Sequence, residues 1–306
     1  MQQCPICGSS SAPVYTLSKG KIVAGLNQFF NTSFDPAIIT TDYTIVRCSH
    51  CTLEFADPML PGNDAFYHAL VKQNGYYSDY RPEYDVVADA IGSAENSKNI
   101  LDIGCGEGDF LVLLQKRGHT QLSGIDTTEA SVNRCREKGL NVTNSRIETY
   151  SGGPFQAITA FHCLEHVDDP KAFITESMRL LAPGGKLYIA TPYSPQVSEM
   201  FWYHPLNNPP HHMLRLNEKS YLQLAAETGT KAELINFQTA SYTSMIRSAF
   251  SFAVFGENRK GSSSSMFLQM ALRPLTSLKV LRNMRRREKI GGRTAGSDIL
   301  VVFTRL

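Results

Sequence analysis

The stretch Asn99-Ile-Leu-Asp-Ile-Gly-Cys-Gly-Glu-Gly-Asp-Phe110 constrains this chain more than any other. An apolar run ends in Asp102, and Gly104, Gly106 and Gly108 then alternate with Cys105 and Glu107. The amphipathic run from Phe110 to Lys116 follows and stops at Gly118. This reads as a buried strand, a tight turn and a helix. The glycines remove each Cβ where the backbone bends sharply and where a ligand lies against it. A second strand, Leu122-Ser-Gly-Ile-Asp126, ends in an acid placed to accept hydrogen bonds from two ribose hydroxyls.

That spacing serves a nicotinamide dinucleotide or S-adenosylmethionine. A dinucleotide calls for G-x-G-x-x-G, with a pyrophosphate on the helix N-terminus. Here the third glycine comes one residue early and Asp102 precedes the turn. An acid there repels a pyrophosphate and suits the cationic amino-acid tail of a ligand without phosphates. At these residues the chain resembles the class I S-adenosylmethionine-dependent methyltransferases. Ile100 to Gly108 is similar to their first motif, and Gly124-Ile-Asp126 to their ribose-binding second strand. Residues 155–167, FQAITAFHCLEHV, are similar to their fourth strand and its turn, and 180–192, LLAPGGKLYIATP, to their helix-to-fifth-strand joint. The resemblance implies an α/β fold: a Rossmann-like doubly wound seven-stranded sheet, last strand antiparallel, with a small N-terminal zinc-binding module. It implies donor contacts at Asp102, Gly104, Cys105, Gly106, Asp126, Thr127, Ile147, His162 and Tyr80. The acid usual in the loop after the third strand is not evident in Asn144-Ser-Arg-Ile-Glu148.

Cysteines mark the second module. Cys4-Pro-Ile-Cys7-Gly8 and Cys48-Ser-His-Cys51 are two C-x-x-C knuckles, each able to present two thiolates to one tetrahedral zinc. Four thiolates close a structural site. A Cys4–Cys7 redox pair, replacement of one cysteine by His50, and four unliganded thiols are the alternatives. Neither a charged leader nor an apolar stretch opens the sequence, and no run approaches the roughly 20 apolar residues of a membrane span. Seven cysteines in such a chain are expected to be reduced thiols in a cytoplasmic protein. At 306 residues and 42% hydrophobic the chain can bury one substantial core plus a satellite. A net charge of +2 makes no overall case for nucleic acid.

The expected organisation is a zinc module and tyrosine-rich linker over 1–80, then a methyltransferase domain over 81–306 with a helical insertion at 241–297. Tyr43 to Arg47 alternates like a strand, and Gly25 to Phe34 is expected to be a loop near the substrate. Helices are expected over Glu83–Ala94, Glu129–Lys138, Lys171–Leu181 and Glu218–Thr228, the third ended by Pro183-Gly-Gly. Strands are expected over Leu140–Thr143, Lys231–Phe237 and Ile299–Thr304. An N-terminal zinc module followed by a tyrosine-rich linker resembles the deoxysugar C-methyltransferases and their relatives over most of residues 1–235.

Methyl transfer from a sulfonium depends on positioning, and an oxygen or carbon acceptor must also lose a proton to a base. Two constellations compete. Pro209-Pro-His-His-Met-Leu-Arg-Leu216 places His211 and His212 in a proline-stiffened loop, and the resemblance favours His212 as base or substrate orienter. Glu165 and His166, in His162-Cys-Leu-Glu-His-Val167, are the other candidates, catalytic or bonded across the loop. A magnesium ion among Glu165, His166, Asp168 and Asp169 is the metal-assisted variant. Tyr76, Tyr77 and Tyr80 would close over the donor or pack in the core, and Trp202 and Tyr203, before His204, would form an apolar wall.

In the insertion, Ser244–Phe255 is a helix candidate, Gly261–Ser265 a flexible linker, and Met266–Leu281 a helix interrupted at Pro274. It runs into Arg282-Asn-Met-Arg-Arg-Arg-Glu-Lys289. Apolar surface followed by positive charge gives 266–289 the character of a peripheral membrane contact, a phosphate grip or a solvated helix end. The leading expectation is methyl transfer from S-adenosylmethionine to an oxygen or carbon of a sugar or glycan, nucleotide-linked or lipid-linked. The alternatives are a quinone-type or other small-molecule O-methyltransferase, an RNA methyltransferase, and a donor-binding protein without turnover.

Overall fold

The structure is a computed structural model, and it describes residues 2–73, 81–93, 98–194, 204–235, 242–255, 263–291 and 298–306. Tyr76, Tyr77, Tyr80, Trp202 and Tyr203 lie outside the described residues.

Strand β1 (Ser11–Leu17), helix α1 (Lys19–Phe30) and strands β2 (Tyr43–Cys48) and β3 (Glu54–Asp57) build the N-terminal part. The three strands pair antiparallel in that order. The segment Gly25–Phe34, expected as a loop, is instead helical through Phe30. Ile22, Val23 and Leu26 fall on one helical face and are buried, and the Ser18 side chain accepts from the Lys21 N–H at 3.3 Å to start the helix. Asn31, at φ +50°, ends it. Helix α2 (Asp64–Val71) buries Phe66 and Leu70, and α3 (Pro82–Ile91) leads to the main sheet.

The main sheet takes in β4 (Ile100–Ile103), β5 (Leu122–Asp126), β6 (Val142–Asn144), β7 (Phe155–Phe161), β8 (Leu181–Pro192), β10 (Thr230–Ile235) and β11 (Asp298–Arg305). Their order is β10-β11-β8-β7-β4-β5-β6, with β11 antiparallel to both neighbours and the remaining pairs parallel. All four residues of β4 are buried, as a central parallel strand demands. Helices α4 (Asp109–Lys116), α5 (Glu129–Glu137), α6 (Pro170–Leu180) and α7 (Glu218–Glu227) complete the alternation. The expected Pro183-Gly-Gly turn is absorbed into β8, which follows α6 at once. Gly184 takes φ +75° there, and the register with β7 shifts between Phe155 and Ala157, so the turn becomes an irregularity at the strand's start.

The insertion forms α8 (Tyr242–Phe255), α9 (Ser263–Leu272) and α10 (Pro274–Gly291), with the break at Pro274 as expected. The expected linker Gly261–Ser265 is already helical from Ser263. Ala249 and Phe250 pack with Val280 and Met284 in a core of their own. Leu268, Leu272, Leu275, Leu278 and Leu281 are exposed. No helix among the described residues is long and apolar enough to cross a membrane.

The two-residue strand β9 (Leu214–Arg215) joins the two sheets' territories. It lies after β8 in sequence but pairs antiparallel with β3, giving the order β1-β2-β3-β9. Arg215 Nε donates to Glu54 Oε2 at 3.0 Å, both side chains 3% exposed, and Arg47 pairs with the same carboxylate. Burial works to raise the Glu54 carboxyl, but the Arg215 and Arg47 guanidiniums outweigh it and hold it below the ordinary carboxylate range. Removing one partner of such a pair strands a buried charge. Glu54→Leu is therefore expected to destabilise the protein by about 3–5 kcal/mol. Chemical denaturation should show part of that loss recovered in the double variant Glu54→Leu/Arg215→Leu, where no guanidinium is left stranded at β9.

Candidate functional site

The carboxyl ends of β4, β5 and β7 open into a cleft of about 1130 Å³. Asp102, Gly104, Cys105, Gly106, Asp126, Thr127, Ile147 and His162 all line it, as do His166, His211 and His212. Gly104 needs its glycine: it takes φ +66°, and a Cβ would stand 3.0 Å from Cys163 Sγ. Gly106 N–H donates to Asp126 Oδ2 at 2.9 Å, and Thr128 N–H to Asp126 Oδ1 at 2.8 Å. The carboxylate is thereby fixed at the strand tip with further lone pairs facing the cleft. Asp102 is 3% exposed and accepts from Thr159 Oγ1 at 2.7 Å. Burial pushes its carboxyl up to about 7, against the pull of that hydrogen bond. Asp109 sits in the first turn of α4, with Glu107 just before the helix. An anion-binding helix terminus is therefore already occupied by acids, which disfavours a pyrophosphate and favours an uncharged adenosine with a cationic tail. Residues 144–148 line the cleft near β6 without a buried acid, and Ile147 is the buried apolar residue among them.

Imidazoles also line the cleft. His162 ends β7 in the left-handed region, at φ +51°, a conformation that costs a non-glycine residue about 1 kcal/mol or more. Its Nε2 donates to Glu83 Oε1 at 2.7 Å, and its Nδ1 faces Glu165 Oε1 at 3.5 Å, an ion-pair contact. Burial works to lower this histidine, but Glu165 and Glu83 push it up to about 9, so it is an imidazolium at neutral pH. His211 and His212 go the other way: burial and the neighbouring histidines hold both well below the ordinary value. Their rings stack at 4.6 Å, with His166 edge-on to them at 4.6 and 4.8 Å. Asp169 caps α6 through the Ala172 N–H at 2.9 Å. Among the described residues the expected magnesium grouping of Glu165, His166, Asp168 and Asp169 does not form; the histidines cluster without the aspartates.

Several site residues had no signal in the sequence. Glu83, in the first turn of α3, looks like a helix-start acid and is in fact buried against His162. Asn207 receives the His212 Nδ1–H on Oδ1 at 2.8 Å, and its carbonyl accepts from Arg215 at 2.7 Å. Asn208 receives the Tyr15 hydroxyl at 2.6 Å. Glu54, Arg215, Asn207 and His212 thus form one chain of contacts from β3 to the cleft. Tyr67 of α2 also lines the cleft beside His166 and His211. Phe29 and Phe30, expected near the substrate, are not on its wall; Phe29 packs against His204.

The four knuckle cysteines converge. Cys4 and Cys51 Sγ are 3.6 Å apart, as are Cys7 and Cys48, and Cys7 and Cys51 are 3.8 Å apart. A tetrahedral ion with Zn–S bonds of about 2.3 Å would set these edges at about 3.8 Å. Backbone N–H groups of His50 and Cys51 already point at Cys48 Sγ. The second knuckle lacks a glycine; Thr52 takes φ +61° in its place, held by Asn217. His50 is turned away, to Gln223 at 3.1 Å.

A family model described as a methyltransferase domain matches residues 75–234, more than half of the chain. Ubiquinone biosynthesis O-methyltransferases of Idiomarina loihiensis and Pseudomonas aeruginosa are each 31% identical, over 128 and 130 residues. These alignments cover 37% of this chain and 52% and 55% of the relatives, so the chain spans about half the length of the curated relatives it matches. A SAM-dependent methyltransferase from Archaeoglobus fulgidus shares the fold, with a TM-score of 0.52 and 15% identity, over 78% of this chain and 99% of that one.

The imidazolium between Glu83 and Glu165 has a titration signature. His162 is expected to titrate near pH 9 by NMR, and Glu83→Gln to bring that midpoint down. Because its folded pKa is raised, the stability it contributes is complete below about pH 6.5 and is lost as pH rises through about 9.

Proposed function

The chain belongs to the methyltransferase-domain family, and on that premise we propose that it transfers the methyl group of S-adenosylmethionine to a hydroxyl oxygen of a small molecule. The observation that supports the reading is that one cleft is lined both by a glycine cradle with Asp102 and Asp126 and by His162, His166, His211 and His212. In-line displacement needs donor and acceptor on opposite sides of the moving methyl, and in this reading the glycine cradle takes the donor and the histidines face the acceptor. Asp126 takes the ribose hydroxyls, Asp102 favours the cationic methionine end, and Ile147 lies under the adenine. The acceptor hydroxyl stands at the imidazoles, where its proton must leave. His212, with Nδ1 held by Asn207, is the residue we assign to that proton.

The names of the curated relatives favour a quinone-type phenolic hydroxyl over the sugar or glycan expected from the N-terminal module. An acceptor of that class resides in lipid, and α9 and α10 have a surface to match. Their five exposed leucines adjoin a segment, 263–291, with seven Lys and Arg against one acid, Glu288. Apolar contact beside concentrated positive charge suits an anionic bilayer surface. The four cysteines we read as a closed structural zinc site, which would stabilise the N-terminal sheet and take no part in the transfer.

Calorimetric titration with S-adenosylmethionine tests the donor side, and single-turnover kinetics with a phenolic acceptor the other. Asp126→Ala is expected to abolish donor binding, whereas His212→Ala keeps it and slows turnover by roughly 10²–10⁴-fold; full donor affinity in Asp126→Ala sinks the site assignment. For the surface, sedimentation with phosphatidylglycerol vesicles should carry the protein down at low salt. Replacing Leu272, Leu275 and Leu278 by serine should leave it in the supernatant, and unchanged sedimentation would refute the contact.

A further inference from the structure

We propose that His166, His211 and His212 form a second metal site, open toward the acceptor, for a divalent cation of the zinc or ferrous class. One ring nitrogen from each lies within 4.8 Å of the other two. The rings come from two segments, the turn after β7 and the loop before β9, so the cluster is a product of the tertiary fold. Each ring is oriented from behind. His166 Nδ1 donates to the His211 carbonyl at 2.6 Å, His211 Nδ1 to the Leu206 carbonyl at 2.8 Å, and His212 Nδ1 to Asn207 Oδ1 at 2.8 Å. A ring that donates from Nδ1 carries its lone pair on Nε2. An oxygen acceptor behind each imidazole is the usual support of a metal-bound histidine, because it sets the tautomer and raises ligand basicity. Bonds of about 2.1 Å to a tetrahedral ion would place the nitrogens about 3.4 Å apart. Closing the observed triangle to that size moves each nitrogen by at most ~0.8 Å.

An independent observation asks for a cation at the same place. Glu165 is 1% exposed, and neither of its carboxylate oxygens has a hydrogen-bond partner among the described residues. Its Oε1 lies 3.8 Å from His212 Nε2. The neighbouring imidazole of His162 is shared with Glu83, so one ring serves two carboxylates. An ion beside the three nitrogens would give that carboxylate a second positive charge besides the shared His162 imidazolium. Three imidazoles, beside a carboxylate that is not itself a ligand, suit zinc, ferrous or nickel ions better than magnesium, which prefers oxygen ligands.

The inference rests on the acceptor side assigned above and changes one step, moving the proton's destination from His212 to Glu165. Three protein ligands leave a position for the acceptor hydroxyl, whose pKa an ion lowers on binding. The hydroxyl proton passes to the Glu165 carboxylate. The oxygen then bonds the methyl carbon as the carbon–sulfur bond breaks, and the electron pair stays on sulfur, giving a neutral thioether. No oxidant or reductant enters.

Cobalt titration of the chelator-stripped full chain tests the site, read by metal analysis and absorption. The expected result is two cobalt ions per chain. One shows thiolate-to-metal charge transfer from the cysteines, and the second shows only the weak bands of nitrogen and oxygen ligation. His166→Ala and His211→Ala should each lose the second ion while keeping the thiolate band, which also reports that they fold. Asn207→Leu should weaken the second ion about 10–100-fold. A single thiolate-bound cobalt per chain, or a second ion unaffected by both histidine variants, would overturn the proposal. Full methyl transfer by protein holding only the cysteine-bound ion would also overturn it, while direct proton transfer to His212 would stand. Failure to bind S-adenosylmethionine would strike the donor assignment alone, since cobalt stoichiometry is read without the donor.

Discussion

The carboxylate of Glu54, buried between Arg47 and Arg215, is the contact on which the rest of the arrangement depends. It anchors a strand of only two residues, β9, to the edge of β3. Two backbone residues cannot hold a strand in register by hydrogen bonds alone; a charge pair excluded from water can, because the alternative is a stranded ion. The segment before β9 carries Asn207, His211 and His212. Through the Arg215 contact to the Asn207 carbonyl, the N-terminal sheet determines where the His212 ring stands. The cysteine knuckles bear on the same point from the other end, since Cys48 closes β2 and Thr52 bonds Asn217 just after β9.

Within the cleft, one dielectric environment yields two kinds of histidine. His162 has two carboxylates within 3.5 Å and is charged; His211 and His212 have each other and His166, and are neutral. Burial lowers all three, so the difference lies in the neighbours. A charged imidazole held by two carboxylates and neutral ones grouped together give the cleft a polarity that backbone geometry alone does not supply.

The glycine-turn side of this cleft was legible in the sequence because it is local. The glycine turn and the strand that ends in Asp126 lie within thirty residues, and each glycine has a backbone reason that the spacing exposes. The cysteine set was equally plain from spacing. The histidine side was legible in parts: His211, His212, Glu165 and His166 were singled out, but not that the three histidines face one another. That depends on β9 pairing with β3, a contact between residues about 160 positions apart. Glu83 and Asn207 resembled an ordinary helix-start acid and a loop amide. The loop expected over Gly25–Phe34 failed for a simpler reason: two of the three buried residues at helical spacing, Ile22 and Val23, precede that window, and only Leu26 falls inside it.

The position of β9 also bears on the order in which the molecule can be made. Strands β1 to β3 and both cysteine knuckles are complete by residue 57, yet the outer edge of β3 meets its partner only when residues 214 and 215 are available. During synthesis that edge, with Glu54 beside it, waits for more than 150 residues of the main sheet to emerge. Unpaired strand edges invite pairing with other chains, and a charge pointing from the edge discourages it. Glu54 therefore has a role before Arg215 exists, as a charge on an open edge paired so far only with Arg47, and the Arg215 contact is added as the nascent sheet closes.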